Sequence, residues 1–456
     1  MLDQAEIHRL TQDEDSSVRM RAAEALGWAF AQVPDKTMAW QDLHRLTQDE
    51  DSNVRSQAAE ALGWAFAQVP DKTMAWQELQ RLTQDDDSFV RSQAAGALGR
   101  AFAQVPDKTM AWKDLHRLTQ DDDSNVRWEA AEALGKAFVQ VPDKTMAWKD
   151  LHRLSQDDDR SVRMRAAEAL GWAFAQVPDK TLAWKDLNRM TQDEDSNVRR
   201  KAAEALGWAF AQVPDKTMAW QDLHRLTQDD DSYVRSQAAG TLGKAFAQVP
   251  DKTMAWKDLL RLTQDDDSNV RSQAAGTLGR AFAQVPDKTM AWKDLLRLTQ
   301  DDDSNVRRKA AGALGKAFAQ VPDRSSAWQD LHRLTQDEDS YVRSQAAGTL
   351  GKAFAQVPDK TMAWKDLQRL TQDDDSNVRS QAAGALGKAF AQVPDKTMAW
   401  KDLQRLTQDD DSNVRSQAAG ALGKAFAQVP DRSSAWQDLH RLTQDEDSYV
   451  RSQAAG

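Results

Sequence analysis

The sequence predicts an all-α fold: a right-handed α-solenoid of about thirteen helix-turn-helix repeats of 36 residues each. Three observations carry this expectation. The stretch LTQDEDSNVRSQAAEALGWAFAQVPDKTMAWQELQR, starting at Leu46, returns almost letter for letter from Leu82, Leu118, Leu154 and onward to Leu442, and a fixed period of this size marks a repeat array. Within each unit apolar residues recur at spacings of three and four, with no period-two alternation, so strands are not expected. Hydrophobic residues make up 40% of the 456, with alanine prominent, which suits thin helical layers better than a deep core. The chain reads as one domain over 1–456: a partial repeat at 1–35, eleven full repeats over 36–431 and a truncated repeat at 432–456.

The period from Lys72 to Asp107 illustrates each element in order. Thr73 or Asp71 supplies an N-cap for a first helix over roughly Met74 to Thr83, with Leu79 and Leu82 on one face. Gln84-Asp85-Asp86-Asp87-Ser88 forms a short acidic turn. A second helix is expected from about Phe89 to Val105, its buried stripe made by Val90, Ala94, Ala97, Leu98, Phe102 and Val105. Pro106 is expected to end it, because the residue before a proline is pushed out of helical geometry. One such hairpin cannot bury its apolar face alone, so neighbours must stack.

The run D-x-D-S-x-V-R-x-x-A-A-x-A-L-G resembles the second half of a HEAT-type repeat over the whole chain. In that family an Asp of the inter-helix turn and an Arg six residues later form a ladder between successive repeats. The resemblance therefore implies ladder roles for Asp49 and Arg55, Asp85 and Arg91, and their equivalents to Asp445 and Arg451. The proline that many members carry in the first helix is absent. Tetratricopeptide arrays share nearly the same period, but their signature residues do not fit.

Composition excludes several function classes. There is no cysteine, which removes disulfides, thiolate zinc sites and cysteine nucleophiles, and fits a reducing compartment. No apolar run approaches the roughly 20 residues that span a bilayer, and MLDQAEIHRL lacks a signal-peptide core. The expected setting is therefore the cytoplasm, with no membrane partner. A net charge of −11 argues against nucleic acid as the main partner.

Each candidate constellation has a plainer reading beside the functional one. Acidic turns such as Asp13-Glu14-Asp15 and Asp265-Asp266-Asp267 have the chemistry to chelate hard cations. They lack the glycine and spacing of a calcium loop, and carboxylates before a helix cap free N–H groups and favour its positive end, so no metal is expected. The tryptophan of the first helix (Trp40, Trp76 and every equivalent to Trp436) never varies, which assigns it to packing between repeats. Gly63 and its equivalents mark a close helix contact, since glycine inside a helix otherwise costs about 1 kcal/mol. Histidines fall in one column (His8, His44, His116, His152, His224, His332, His440) that elsewhere holds Leu260 and Leu296, which predicts an exposed, undemanding position. The iron-binding enzymes built on HEAT-type repeats use adjacent His-Glu pairs, and none occurs here. No cofactor is expected and no nucleophile–base pair is present, so an enzyme is not expected.

The variable columns carry the functional expectation. Substitutions gather in the second helix at offsets of 0, 3, 4, 7 and 11, which share one helical face. The candidate ligand contacts are Trp28, Trp64, Phe89, Trp128, Trp172, Trp208, Tyr233 and Tyr341 as aromatic anchors, with Glu24, Glu60, Glu168, Glu204 and Lys244 as charged selectors. Up to about Asp215 the stripe pairs Trp with Glu; beyond it the pattern is Gly with Lys or Arg, as in Gly240/Lys244 and Gly384/Lys388. In HEAT-type arrays the second helix lines the concave side. The expectation is a non-enzymatic scaffold holding a protein or peptide there; the alternative is a structural spacer or engineered array with no dedicated ligand. At the ends, Gln4 stands where Trp would sit, and the chain stops at Gly456 within a second helix. That stop predicts exposed Val450 and Leu442, with fraying or end-to-end self-association. Residues Arg324–Gly348 and Arg432–Gly456 are identical, a sign of tandem expansion or design.

Overall fold

The computed structural model describes residues 4–321 and 323–455. Among them are 26 α-helices, five short 3-10 turns and no strand, the solenoid of helical hairpins that the sequence predicts. Contacts divide the chain into two compact units, Met1–Leu226 and Thr227–Gly456. In the first, the hairpins run Gln4–Leu10 with Ser16–Ala29, Lys36–Thr47 with Ser52–Ala65, Lys72–Leu82 with Ser88–Ala101, Lys108–Leu118 with Ser124–Ala137, Lys144–Leu154 with Arg160–Ala173 and Lys180–Met190 with Ser196–Ala209, followed by Lys216–Leu226. The second opens with Ser232–Ala245 and repeats the same hairpin to Arg432–Leu442 with Ser448–Ala455. No helix among the described residues is long and apolar enough to cross a membrane.

Local chemistry fixes the helix ends. Asp71 caps the first helix, its Oδ1 accepting the Thr73 and Met74 N–H groups at 2.9 and 3.0 Å. Asp87 caps the second by accepting the Phe89 N–H at 2.8 Å. The second helix ends at Ala101, four residues before the expected boundary at Val105. The carbonyl of Ala101 takes the N–H groups of both Gln104 and Val105, which closes a tight turn before the proline acts. Lysine from the next first helix then covers the freed carbonyls, as where Lys72 Nζ donates to Phe66 O and Ala67 O at 3.1 and 2.8 Å. The proline still governs its neighbour: Val177, before Pro178, is extended at φ −64°, ψ 141°.

The second helices form the tight layer. Within each unit, adjacent second helices lie much closer to each other than adjacent first helices do. The glycine near the end of most of these helices makes this possible: a Cβ on Gly63 would stand 2.7 Å from Ala97 Cα, and one on Gly279 2.5 Å from Ala313 Cα. Three residues earlier on the same helix, a Cβ on Gly276 would meet nothing within 4 Å. Two substitutions of the same kind should therefore have opposite signs. Gly279→Ala forces two backbones apart and is expected to destabilise by about 1–2 kcal/mol, overpacking outweighing the gain in helix propensity. Gly276→Ala is expected to stabilise by about 0.5–1 kcal/mol. Urea midpoints of the two variants check this; shifts of the same sign would refute it.

Two polar ladders run between repeats. Arg55 Nε and the second terminal nitrogen donate to the two carboxylate oxygens of Asp85 in the next repeat, both at 2.8 Å. Its remaining nitrogen donates to the Asp49 and Glu50 carbonyls at 2.9 and 3.0 Å. Asp49 in turn receives Arg19 at 2.7 Å, and Arg91 donates to Asp121. Within each unit, an acidic turn that follows another repeat, such as Asp85-Asp86-Asp87, thus spends its first carboxylate on this ladder and its third on a helix cap, and turns the middle one to solvent.

The second ladder was not foreseen. The histidine column lies at the surface, as expected, but is not undemanding: His8, His116, His152 and His332 bond through Nδ1 to Asp42, Asp150, Asp186 and Asp366 of the following repeat at 2.6–2.8 Å. The ring also lies against the first-helix tryptophan, as in Trp112–His116 at 5.9 Å. Where histidine is missing, Gln80 donates to Asp114 at 3.1 Å. The same aspartates take the arginine three residues on, Arg45 to Asp42 at 2.7 Å, and that arginine reaches back to Thr11 Oγ1 at 2.6 Å.

The ladder carboxylates predict acid lability. Burial alone would raise Asp49, Asp85, Asp121, Asp301 and Asp409, but the partner arginine, a backbone N–H two residues on and the guanidinium charge together hold each below the ordinary carboxylate value. A group depressed in the folded state contributes fully above its unfolded pKa, about 3.9, and loses that contribution as pH falls through its folded value. Burial raises Asp222, Asp294 and Asp402, whose opposite effect is relieved on acidification, but they are fewer. The Tm followed by circular dichroism is expected to fall steadily below about pH 4; a Tm unchanged down to pH 2 would count against the ladder.

At the C-terminal end the expectation for Val450 and Leu442 is corrected. Both are buried, against Ala419 of the preceding repeat, because their stripe faces backwards along the stack. The exposed apolar side chains there are Trp436 and Tyr449. Gly456 lies outside the described residues. At the other end Gln4 exchanges hydrogen bonds with the backbone of Asp35 at 2.6 and 3.0 Å.

Candidate binding face on the second helices

The two tryptophan columns differ in their surroundings everywhere but at Trp436, the exposed member of the first-helix column. Trp40 and Trp76 of the first helices are each 5% exposed, whereas Trp28 is 72% and Trp64 50% exposed on the second helices. Both environments follow from helical phase. The first column sits among Ala39, Leu43 and Leu46 of its own helix. The second sits eleven residues after the helix-start column, on the face away from Val54, Leu62 and Phe66.

In the first unit the tryptophans of this column, exposed at Trp28, Trp64 and Trp172 and half-buried at Trp208, form stacks that cross repeats. Trp28 stacks on Trp64 with ring centroids 5.9 Å apart and planes at 22°, and the Arg100 guanidinium lies over Trp64 at 4.6 Å. Trp172 stacks on Trp208 at 6.4 Å and 29°. Trp128 is half-buried beneath Arg165, whose guanidinium carbon is 4.0 Å from the ring centroid. Phe89 lies near the start of its helix, about three turns from the Trp row, and is exposed; Tyr233 and Tyr341 occupy the same position in the second unit and are exposed as well. They share the face with the tryptophans but not the same end of it.

Of the glutamates, Glu24 is exposed. Glu60 accepts from Gln57 at 3.1 Å and lies 4.0 Å from Arg100. Glu168 is held by Arg165 at 2.7 Å and Lys201 at 3.2 Å, and Lys201 also reaches Glu204 at 3.2 Å. Arg165 extends the chain backwards to Glu132 at 3.1 Å. Alternating charges thus run along the face from Glu132 to Glu204, and the sequence reading missed this pairing. Its signal was the arginine or lysine three residues before a glutamate, helical neighbours by spacing. Glu129 occupies the room left by the missing side chain of Gly96, its Oε2 2.7 Å from where a Cβ would stand, and burial followed by Glu132 pushes its carboxyl up.

The second unit presents different chemistry at the same positions. Lys244 is exposed and heads a column of basic residues on the second helices, and the preceding glutamate position is glycine in every repeat. The face offers aromatic stacking and paired charge in the first unit and a row of like positive charge in the second. Either suits non-covalent recognition.

Comparison with known proteins agrees with this architecture. A family described as HEAT repeats matches ten overlapping stretches that tile the chain, from 4–99 and 79–145 through 331–402 to 365–456. No curated protein sequence matches. Among solved structures, yeast importin-beta (Kap95p) is similar with a TM-score of 0.67 at 16% identity, over 98% of this chain and 65% of that one. Importin beta crystallised in ammonium sulfate gives 0.63 at 17%, over 98% and 65%. Kap95 in complex with Nup1 gives 0.60 at 16%, over 99% and 66%. At these identities the likeness is one of fold, and the chain spans about two thirds of the length of those proteins.

Proposed function

The chain belongs to the HEAT-repeat family, and from that premise we propose that it is a non-enzymatic scaffold that binds a protein or extended peptide along the face formed by its second helices. The observation that carries this is the stacked tryptophan row, exposed at Trp28, Trp64 and Trp172. Packing does not need it, because the same helix position holds Arg100 and Lys136 in the same unit without any change of hairpin. Large aromatics exposed in pairs are the side chains that dominate interface energetics when a partner covers them. Closer approach between second helices than between first helices favours bending of each unit towards the second-helix layer, which supports a concave setting for the row. Kap95, of similar fold, has been solved in complex with Nup1, which supports a protein or peptide rather than a small molecule as occupant. The cytoplasm remains the proposed setting.

The test is selection of peptides from a random display library on the full chain, followed by binding to a variant with Trp28, Trp64, Trp172 and Trp208 all changed to alanine. Selected peptides are expected to lose at least about tenfold in affinity, equivalent to about 1.4 kcal/mol, while the far-ultraviolet spectrum stays unchanged. Equal binding to the variant, or no selectable peptide, would favour a spacer without a ligand.

A further inference from the structure

The second unit carries a row of basic side chains at one position of successive second helices: Lys244, Arg280, Lys316, Lys352, Lys388 and Lys424, all exposed. Four residues before each stands glycine (Gly240, Gly276, Gly312, Gly348, Gly384, Gly420), where most of the first unit has glutamate. The first unit neutralises its own cation at this position, as Lys136 pairs with Glu132. Among the described residues, Lys316, Lys352, Lys388 and Lys424 have no carboxylate within ion-pair distance, and Arg280 bonds only to Thr277 of its own helix, at 3.1 Å.

The plainest structural role for a cation there is to complement the negative end of the helix. That role is already filled: the carbonyls of Phe246 and Ala247 take Lys252, and those of Phe354 and Ala355 take Lys360. Tryptophan at the equivalent position in the first unit also shows that helix ending does not require a cation. The row is electrostatically unfavourable as it stands. Burial, and then the like charges of Arg280 and Lys352, push the Lys316 amine below its ordinary value; burial, Lys352 and Lys424 do the same for Lys388.

Beside the row lies a second feature. A Cβ on Gly384 would stand 3.0 Å from Gln417 Oε1, and one on Gly348 3.2 Å from Gln381 Oε1, so a carboxamide of the following repeat lies beside every glycine of the row except Gly276, which has open space. Glycine leaves no side chain to hold off a backbone, and a carboxamide can both donate to and accept from a peptide group.

Resting on the reading of this face as a protein-binding surface, we infer that the second unit takes an extended acidic peptide: its carboxylates meet the basic row and its backbone lies over the glycines against the glutamines. Packed helices are about 8–10 Å apart and an extended chain advances about 3.3 Å per residue, so the matching segment has an acidic residue at about every third position. A nucleic-acid duplex, with a phosphate about every 3.4 Å along each strand, is too densely charged for one cation per repeat. Acidic turns at the other end of every helix would repel it further.

The probe is a fluorescent 18-residue peptide with glutamate at every third position among glycine and serine. It is titrated into the full chain at low ionic strength by anisotropy, against the same peptide with glutamine and an 18-nucleotide oligothymidylate. The acidic peptide is expected to bind at least tenfold more tightly than either and to weaken as salt rises. A K316Q/K352Q/K388Q variant is expected to lose at least tenfold, and a K316R/K352R/K388R variant to keep its affinity. Equal binding of the glutamine peptide, undiminished binding by the K→Q variant, lost binding by the K→R variant or tighter binding of the oligonucleotide would each overturn the inference. If library-selected peptides bind the tryptophan row while the acidic peptide does not bind, only this inference fails; if neither binds, the reading of the face fails with it.

Discussion

Replacing Trp328 by alanine is expected to cost about 3–5 kcal/mol, whereas the same change at Trp436 should cost less than about 1 kcal/mol. The two tryptophans lie in identical sequence, Arg324–Gly348 repeating as Arg432–Gly456, so helix propensity and capping are matched. Their surroundings differ: Trp328 is 8% exposed, in a hairpin followed by the one that starts at Lys360, and Trp436, in the last described hairpin, is 64% exposed. The tryptophan therefore gains its burial from the next repeat, and the expected difference measures an interface between repeats rather than the interior of one hairpin. Truncating a buried indole removes its transfer energy and leaves a cavity that the short alanine-rich helices around it cannot fill. Urea denaturation fitted to a nearest-neighbour repeat description, with hydrogen exchange over residues 324–370, is the check. Equal losses at both positions would mean that the column stabilises each hairpin by itself.

Arg271→Met is expected to cost about 3 kcal/mol. Arg271 donates four hydrogen bonds: two to the Asp301 carboxylate at 2.8 and 2.9 Å, and two to the Asp265 and Asp266 carbonyls, both at 2.8 Å. Methionine keeps much of the packing volume but leaves Asp301, a side chain only 7% exposed, with the Asp303 N–H and no cation. The cost is dominated by that orphaned carboxylate. Arg271→Met combined with Asp301→Leu should therefore recover a large part of the loss, because a well-packed apolar pair can replace a buried ion pair. Arg271→Lys should not recover it, since one ammonium cannot hold two oxygens and two carbonyls in a plane. A double variant no more stable than Arg271→Met would contradict the assignment.

How far the sequence revealed the molecule depended on the range of each interaction. The hairpin, its acidic turn and the Asp71 and Asp87 caps are local, and the 36-residue period set them out directly. The division between Trp40 and Trp64 was legible because one column never varies and the other does. The helix end was misplaced because Pro106 is a strong local signal, while the turn after Ala101 is held by a lysine from the next repeat. The His116–Asp150 bond spans 34 residues and joins different repeats, so no helical periodicity reports it. Leu260 in the same column suggested indifference, although the aspartate it faces is fixed and buried nearly everywhere. The charge chain through Arg165, Glu168 and Lys201 was hidden for the same reason: half of its links cross between repeats.

The central claim is that one tryptophan column knits repeats together while the other stands open to a partner. Hydroxyl-radical footprinting of the full chain, which holds 17 tryptophans, tests it directly. Trp28, Trp64, Trp172 and Trp436 are predicted to oxidise quickly and Trp40, Trp76 and Trp256 slowly, with Trp28 and Trp64 becoming protected once a library-selected peptide is bound. Rapid oxidation of Trp76 and Trp256, or Trp28 and Trp64 already protected in the free chain, would contradict it.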